Sequence, residues 1–120
     1  MILLGMRKRK SGRKFGRERD QRNALMTHLA GALIANGKIR TTEAKAKELR
    51  PYIERLITKA RKGNLAARRD LGRSLTAREV KTLVDDIAPR FISRPGGYTR
   101  IIKVPARKSD GAKRAIIEIL

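Results

Sequence analysis

The chain has 120 residues, with 31 Lys and Arg against 11 Asp and Glu and a formal net charge of +20. That length holds one small domain plus an arm, and so large an unneutralised charge repels itself unless a polyanion supplies the opposite sign. The chain has no Cys, which excludes disulfide staples and thiolate metal sites, and no apolar run long enough to cross a bilayer.

The first five residues, Met1-Ile2-Leu3-Leu4-Gly5, are apolar but precede the positive charges, the reverse of signal-peptide order. They read as a start-site extension, with Met6 an alternative initiator. Between Met6 and Arg22 lie nine basic residues: Arg7, Lys8, Arg9, Lys10, Arg13, Lys14, Arg17, Arg19 and Arg22. Only Glu18 and Asp20 oppose them, and Phe15 is the one large hydrophobe after Met6. A segment this charged stays unfolded alone, so an extended basic arm is expected, with Gly12 and Gly16 as joints. Counterion release would drive it onto phosphates. An anionic membrane fits less well, because no strongly apolar amphipathic helix accompanies the basic run. Aromatic residues are limited to Phe15, Tyr52, Phe91 and Tyr98, too few for a row of stacked bases. Binding is therefore expected through phosphate and shape contacts.

A helical pattern follows from about residue 20 to 36, with Leu25, Leu29, Ala32 and Leu33 on one face. Asp20 is a candidate N-cap, and Asn36-Gly37 a stop signal. The lone His28, with no Cys or second His, reads as a surface or packing residue. Lys38 to Thr42 is short and β-prone, and Thr42 can cap a second helix from Glu43. Its apolar stripe is Ala46, Leu49, Ile53, Leu56, Ile57 and Ala60. Pro51 lies inside, so a kink or restart is expected there. Asn64 can cap a short third helix. Thr76-Ala77-Arg78-Glu79 is a capping box for a fourth, whose stripe is Val80, Leu83, Val84 and Ile87. Pro89 weakens that helix, and Arg94-Pro95 ends it.

The period then changes to two. Tyr98 to Val104 reads as a strand, with Tyr98, Ile102 and Val104 on one face and Thr99, Ile101 and Lys103 on the other. Ser109-Asp110-Gly111 supplies turn chemistry, and a second strand from Ala115 to Leu120 closes a hairpin, with the strand near Ile39 adding to its edge. The expected fold is α+β: about four helices packed on a small sheet of about three strands, with the extended basic arm outside. Residues 1–19 form the extension and arm, and residues 20–120 the single domain.

No active site is legible. One His, no Cys and scattered carboxylates make no nucleophile–base pair, and Asp85-Asp86 reads as an exposed helix surface. No catalytic residue, metal, cofactor or small-molecule substrate is expected. Two places besides the arm look suited to phosphate. On the second helix, Lys45, Lys47 and Arg50 take the solvent side. At Pro95-Gly96-Gly97, two glycines allow close backbone approach, flanked by Arg94 and Arg100. A DNA-architectural protein of the nucleoid type is the competing reading.

Four runs in order, Met6-Arg7-Lys8-Arg9-Lys10-Ser11-Gly12-Arg13-Lys14, Lys45-Ala46-Lys47-Glu48-Leu49-Arg50, Ala88-Pro89-Arg90-Phe91 and Gly96-Gly97-Tyr98-Thr99-Arg100, resemble the family of ribosomal protein seventeen of the bacterial large subunit. The resemblance covers residues 6–120. It implies a one-domain α+β protein that binds large-subunit ribosomal RNA beside neighbouring ribosomal proteins near the nascent-chain exit, in the bacterial cytoplasm. It adds Tyr98 and Thr99 to the candidate RNA-binding set. The family often has His where Lys8 stands, and a His-Arg pair where Gln21-Arg22 stands; both changes keep hydrogen-bond donors in place.

Overall fold

The structure, a computed structural model, describes side chains from Arg19 to Leu120. The expected extended arm and its residues Arg7, Lys8, Arg9, Lys10, Arg13, Lys14 and Arg17 lie outside the described residues.

The first helix, α1 (Ile2–Asn36), ends where the Gly37 N–H bonds back to the Leu33 carbonyl at 2.7 Å. Asp20 therefore lies inside the helix and not at its start. The buried stripe is Met26, Ala30, Leu33 and Ile34, and Leu25 and Leu29 flank it half-buried. This shifts the expected stripe by about one position. Packing explains it, because α1 meets the second helix, the fourth helix and the sheet, which widens its buried arc.

The second helix, α2 (Glu43–Ala60), begins at Thr42, whose hydroxyl accepts from the Lys45 N–H at 3.3 Å. Pro51 was expected to kink or restart this helix, but α2 is one continuous element. Pro51 lies on the exposed side, so the Lys47 carbonyl deprived of its partner can turn to water. The stripe from Ala46 through Leu49, Ile53, Leu56, Ile57 and Ala60 keeps its phase past the proline. Leu49, Ile53 and Ile57 are fully buried, each contributing about 1.5–3 kcal/mol of transfer free energy. That outweighs one lost helix bond.

Asn64 caps α3 (Leu65–Leu71), its side chain accepting from the Ala67 N–H at 2.8 Å. The capping box of α4 (Ala77–Thr82) is complete: Thr76 accepts from the Glu79 N–H at 3.2 Å, and Glu79 accepts from the Thr76 N–H at 3.0 Å. Beyond Thr82 the chain widens into a π turn over Leu83–Ile87 and tightens into a 3-10 turn over Ala88–Phe91. The wide turn lets Leu83, Val84, Ile87 and Ala88 all face the core before Pro89.

The sheet has strands β1 (Lys38–Thr42), β2 (Thr99–Val104) and β3 (Arg114–Ile119) in the order β1-β3-β2, all antiparallel. The strand around Ile39 does join the hairpin, on its β3 side. Ile39, Ile117 and Ile101 lie in one cross-strand row under the helices. The next row, Arg40, Ile116 and Ile102, has the opposite parity and lies on the side away from the helices. Tyr98 shares its parity with Ile102 and Val104 but not their side. It precedes β2, turns into the core and is fully buried, its ring 4.9 Å from that of Phe91. The architecture is α+β, with four helices packed on one face of a three-stranded antiparallel sheet.

Candidate nucleic-acid interface

The Pro95-Gly96-Gly97 turn joins the helical layer to β2. Gly97 has φ of 66°, which side chains with a Cβ adopt only at a cost. A Cβ at either Gly96 or Gly97 would meet nothing within 4 Å. The backbone of the turn is thus bare and open to close approach.

The turn is held from below. Tyr98 Oη accepts from Arg61 Nη1 at 3.0 Å and shares a 3.3 Å hydrogen bond with Thr58 Oγ1. The same guanidinium donates from Nη2 to the Ile92 carbonyl at 3.0 Å. Arg94 donates to the Gly97 carbonyl at 3.3 Å, and its guanidinium lies 5.9 Å from the centroid of the Phe91 ring. The bare backbone is therefore preformed, which lowers the entropy lost when a ligand binds.

The candidate residues separate into three situations. Gly96, Gly97, Arg94, Lys45 and Arg22 are at the surface, and Lys45 makes no ion pair among the described residues. Lys47, Arg50 and Arg100 are exposed but already matched. Lys47 Nζ lies 3.0 Å from Glu43, Arg50 Nε 3.7 Å from Glu54, and Arg100 Nε pairs with Glu118. Tyr98 and Thr99 have buried side chains, and Thr99 Oγ1 donates to Glu54 at 2.9 Å. Those two side chains are not available at the surface, because they hold the start of β2 against α2.

Glu43 sits at the N-terminus of α2 between Lys47 and Lys103, whose Nζ lies 3.8 Å away. The hydrogen bond from Lys47, helped by the charges of Lys103 and Lys113, holds its carboxyl below the ordinary range. Asp70 is held low chiefly by its hydrogen bond from Lys59, at 2.9 Å. These carboxylates tie cations to the fold. Asp85 does the same for Arg68, at 2.7 Å.

Sequence reasoning missed Arg61. Nothing in its spacing distinguishes it from its basic neighbours, yet it is half-buried and organises the turn. It also missed Lys38, Arg40 and Arg114, which share the side of the sheet away from the helices. The alternation of Lys38, Ile39 and Arg40 was the available signal. His28 is exposed. Among the described residues no group of three His, Cys, Asp or Glu can hold a metal ion, and no helix is long and apolar enough to cross a membrane.

The sequence profile of the family described as Ribosomal protein L17 matches residues 25–120. This chain belongs to that family. Among its relatives is the large ribosomal subunit protein bL17 of Gemmatimonas aurantiaca, 53% identical over 116 residues that cover 96% of this chain and 98% of that one. The bL17 protein of Campylobacter lari is 52% identical, with 96% and 99% covered. That of Desulfovibrio desulfuricans is 53% identical, covering 95% of this chain and 68% of its own length.

Proposed function

We propose that this chain is a structural, non-catalytic constituent of the large ribosomal subunit in the bacterial cytoplasm. It binds large-subunit ribosomal RNA near the nascent-chain exit region, beside neighbouring large-subunit ribosomal proteins. The observation that carries this reading is the preformed turn at Gly96-Gly97, bare of side chains and set in a chain of net charge +20. A phosphate can approach the backbone there, with Arg94 at its side. Lys45, Lys47 and Arg50 add a second line of cations along α2, and Arg22 continues the basic arm of residues 1–19. Lys47, Arg50 and Arg100 pair with carboxylates in the free body, so a phosphate must share or displace Glu43, Glu54 and Glu118. The cations of these pairs are exposed, so solvent screens the attraction and a phosphate can share them with their carboxylates.

Deleting residues 1–19 tests the division of labour between arm and body. The deletion removes eight basic residues and Glu18. The slope of log affinity against log salt for ribosomal RNA should fall by about three to six. The truncated chain should be depleted from large subunits on sedimentation. An unchanged slope and normal incorporation would overturn the arm's role, and co-migration of the intact chain with nucleoid DNA would overturn the reading as a whole.

A further inference from the structure

Among the described residues, the side of the sheet that the helices leave uncovered carries a second pattern. Three cross-strand rows lie on it: Lys38 with Glu118 and Arg100, Arg40 with Ile116 and Ile102, and Thr42 with Arg114 and Val104. The middle is aliphatic. Ile102 is 43% exposed and Ile116 and Val104 are half-buried. Cations stand on both edge strands and in the centre. Glu118 is the one carboxylate in these rows, and Arg100 already neutralises it. Lys38, Arg40 and Arg114 form no ion pair among the described residues, and Arg114 Nε is enclosed without a hydrogen-bond partner.

We infer that this open sheet face is a docking surface for double-stranded RNA, recognised by shape across its shallow minor groove. The inference rests on the RNA-binding reading above and names the kind of RNA that one surface takes. The charge selects a polyanion; a protein segment would have to bring several acidic groups to the same rows. The composition then selects among nucleic acids. A sheet that reads single strands displays aromatic side chains for bases to stack on. Here Tyr98 and Phe91 are buried in the core, Tyr52 packs beside it from α2, and the three rows hold no aromatic residue. Aliphatic side chains flanked by cations suit a surface of riboses between two lines of phosphates, which A-form RNA presents in its wide minor groove. The outer strands stand about 10 Å apart across β3, which places Lys38 and Arg40 to reach one line while Arg100 faces the other. The minor groove of B-form DNA is too deep and narrow for such a flat face.

The test uses the full chain carrying Lys38→Glu and Arg40→Glu, both on the exposed edge of β1, with Lys38→Gln and Arg40→Gln as the milder pair if the first fails to fold. The probes are an RNA duplex of about 16 base pairs, either of its strands alone, and the DNA duplex of the same sequence. The unaltered chain should prefer duplex RNA to both other probes. Two phosphate contacts are worth about 60-fold at 0.1 M salt relative to 1 M, so the glutamate pair should lose affinity for duplex RNA on about that scale, with a salt slope lower by about two. Its affinity for the single strand should change less. Equal affinity of the unaltered chain for all three probes, or unchanged duplex binding in either pair of variants, would overturn the inference while ribosomal RNA binding through arm and turn stood. Loss of a copurifying ribosomal protein with no change in RNA affinity would also overturn it, marking the face as a protein interface. Failure of the unaltered chain to bind ribosomal RNA at all would instead overturn the reading beneath it.

Discussion

The carboxylate of Glu79 fills the space that a Cβ on Gly31 would need. Gly31 is buried in α1, and Glu79 is the residue whose side chain closes the capping box at the start of α4. A single side chain therefore caps one helix and sets how closely another can pass.

This relationship predicts a measurable coupling. Ala in place of a mid-helix Gly gains about 1 kcal/mol, but here it must push Glu79 off the Thr76 N–H, forfeiting roughly 0.5–2 kcal/mol of capping. Gly31→Ala alone should thus change stability little. In a Glu79→Ala background the same change should stabilise by about 1 kcal/mol. Urea unfolding of the four proteins checks this, and additivity to within about 0.3 kcal/mol would show that the two residues are independent.

Removing the Tyr98 hydroxyl should destabilise the body without touching its surface. Tyr98→Phe leaves Arg61 Nη1 without its 3.0 Å acceptor, a loss of about 1–3 kcal/mol. Thr58→Val should cost less, since it keeps the charged partner. Because the Arg61 bond to Tyr98 helps to hold the turn, RNA affinity measured well below the melting temperature should fall only modestly, by the preorganisation lost. Unchanged affinity in folded Tyr98→Phe would show that the turn keeps its shape without the hydroxyl.

At Gly97 the costs of folding and binding can be separated. A side chain there meets open space, so Gly97→Ala should lose only the backbone penalty of about 1–2 kcal/mol at φ of 66°. Gly97→Asn tolerates that conformation and should fold nearly as well as the original. Both should weaken ribosomal RNA binding if phosphate approaches the bare backbone. Full affinity in folded Gly97→Asn would reduce the turn to a connector.

Glu43 and Asp70 give the protein an acid limb. Their folded-state pKa values are lowered by Lys47 and Lys59, so the unfolded chain binds more protons than the folded one as pH drops below the ordinary carboxylate range. Their stabilisation is therefore present above the unfolded value and lost as pH falls through the folded one. The melting temperature should hold steady from pH 8 down to about 5 and fall below about pH 4.5. Glu43→Gln should start lower at pH 7 and show a shallower acid fall. An identical acid limb in that variant would remove Glu43 from the account.

Local chemistry wrote its results directly into the sequence. Thr42, Asn64 and the Thr76–Glu79 box cap the helices they were expected to cap, because each bond spans only three residues. The stripe of α2 follows from the helix period alone, and the alternation of β2 from the strand period between Thr99 and Ile102. The bare Gly96-Gly97 turn was legible for the same reason, since glycines with a proline before them mark a backbone shape. Tertiary structure decided what periodicity leaves open. Pro51 did not break α2, because it falls on the solvent side while six buried residues hold the helix to the core. Tyr98 went inward against the parity of its strand, because Phe91 met it there from the preceding 3-10 turn and Thr58 and Arg61 from the end of α2, distant in sequence. Which cations are paired, which are free, and which line up on one open face of the sheet depends on strands β1, β2 and β3 being brought side by side. A sequence of charges cannot state that, since register between distant strands is set by the shared core beneath them.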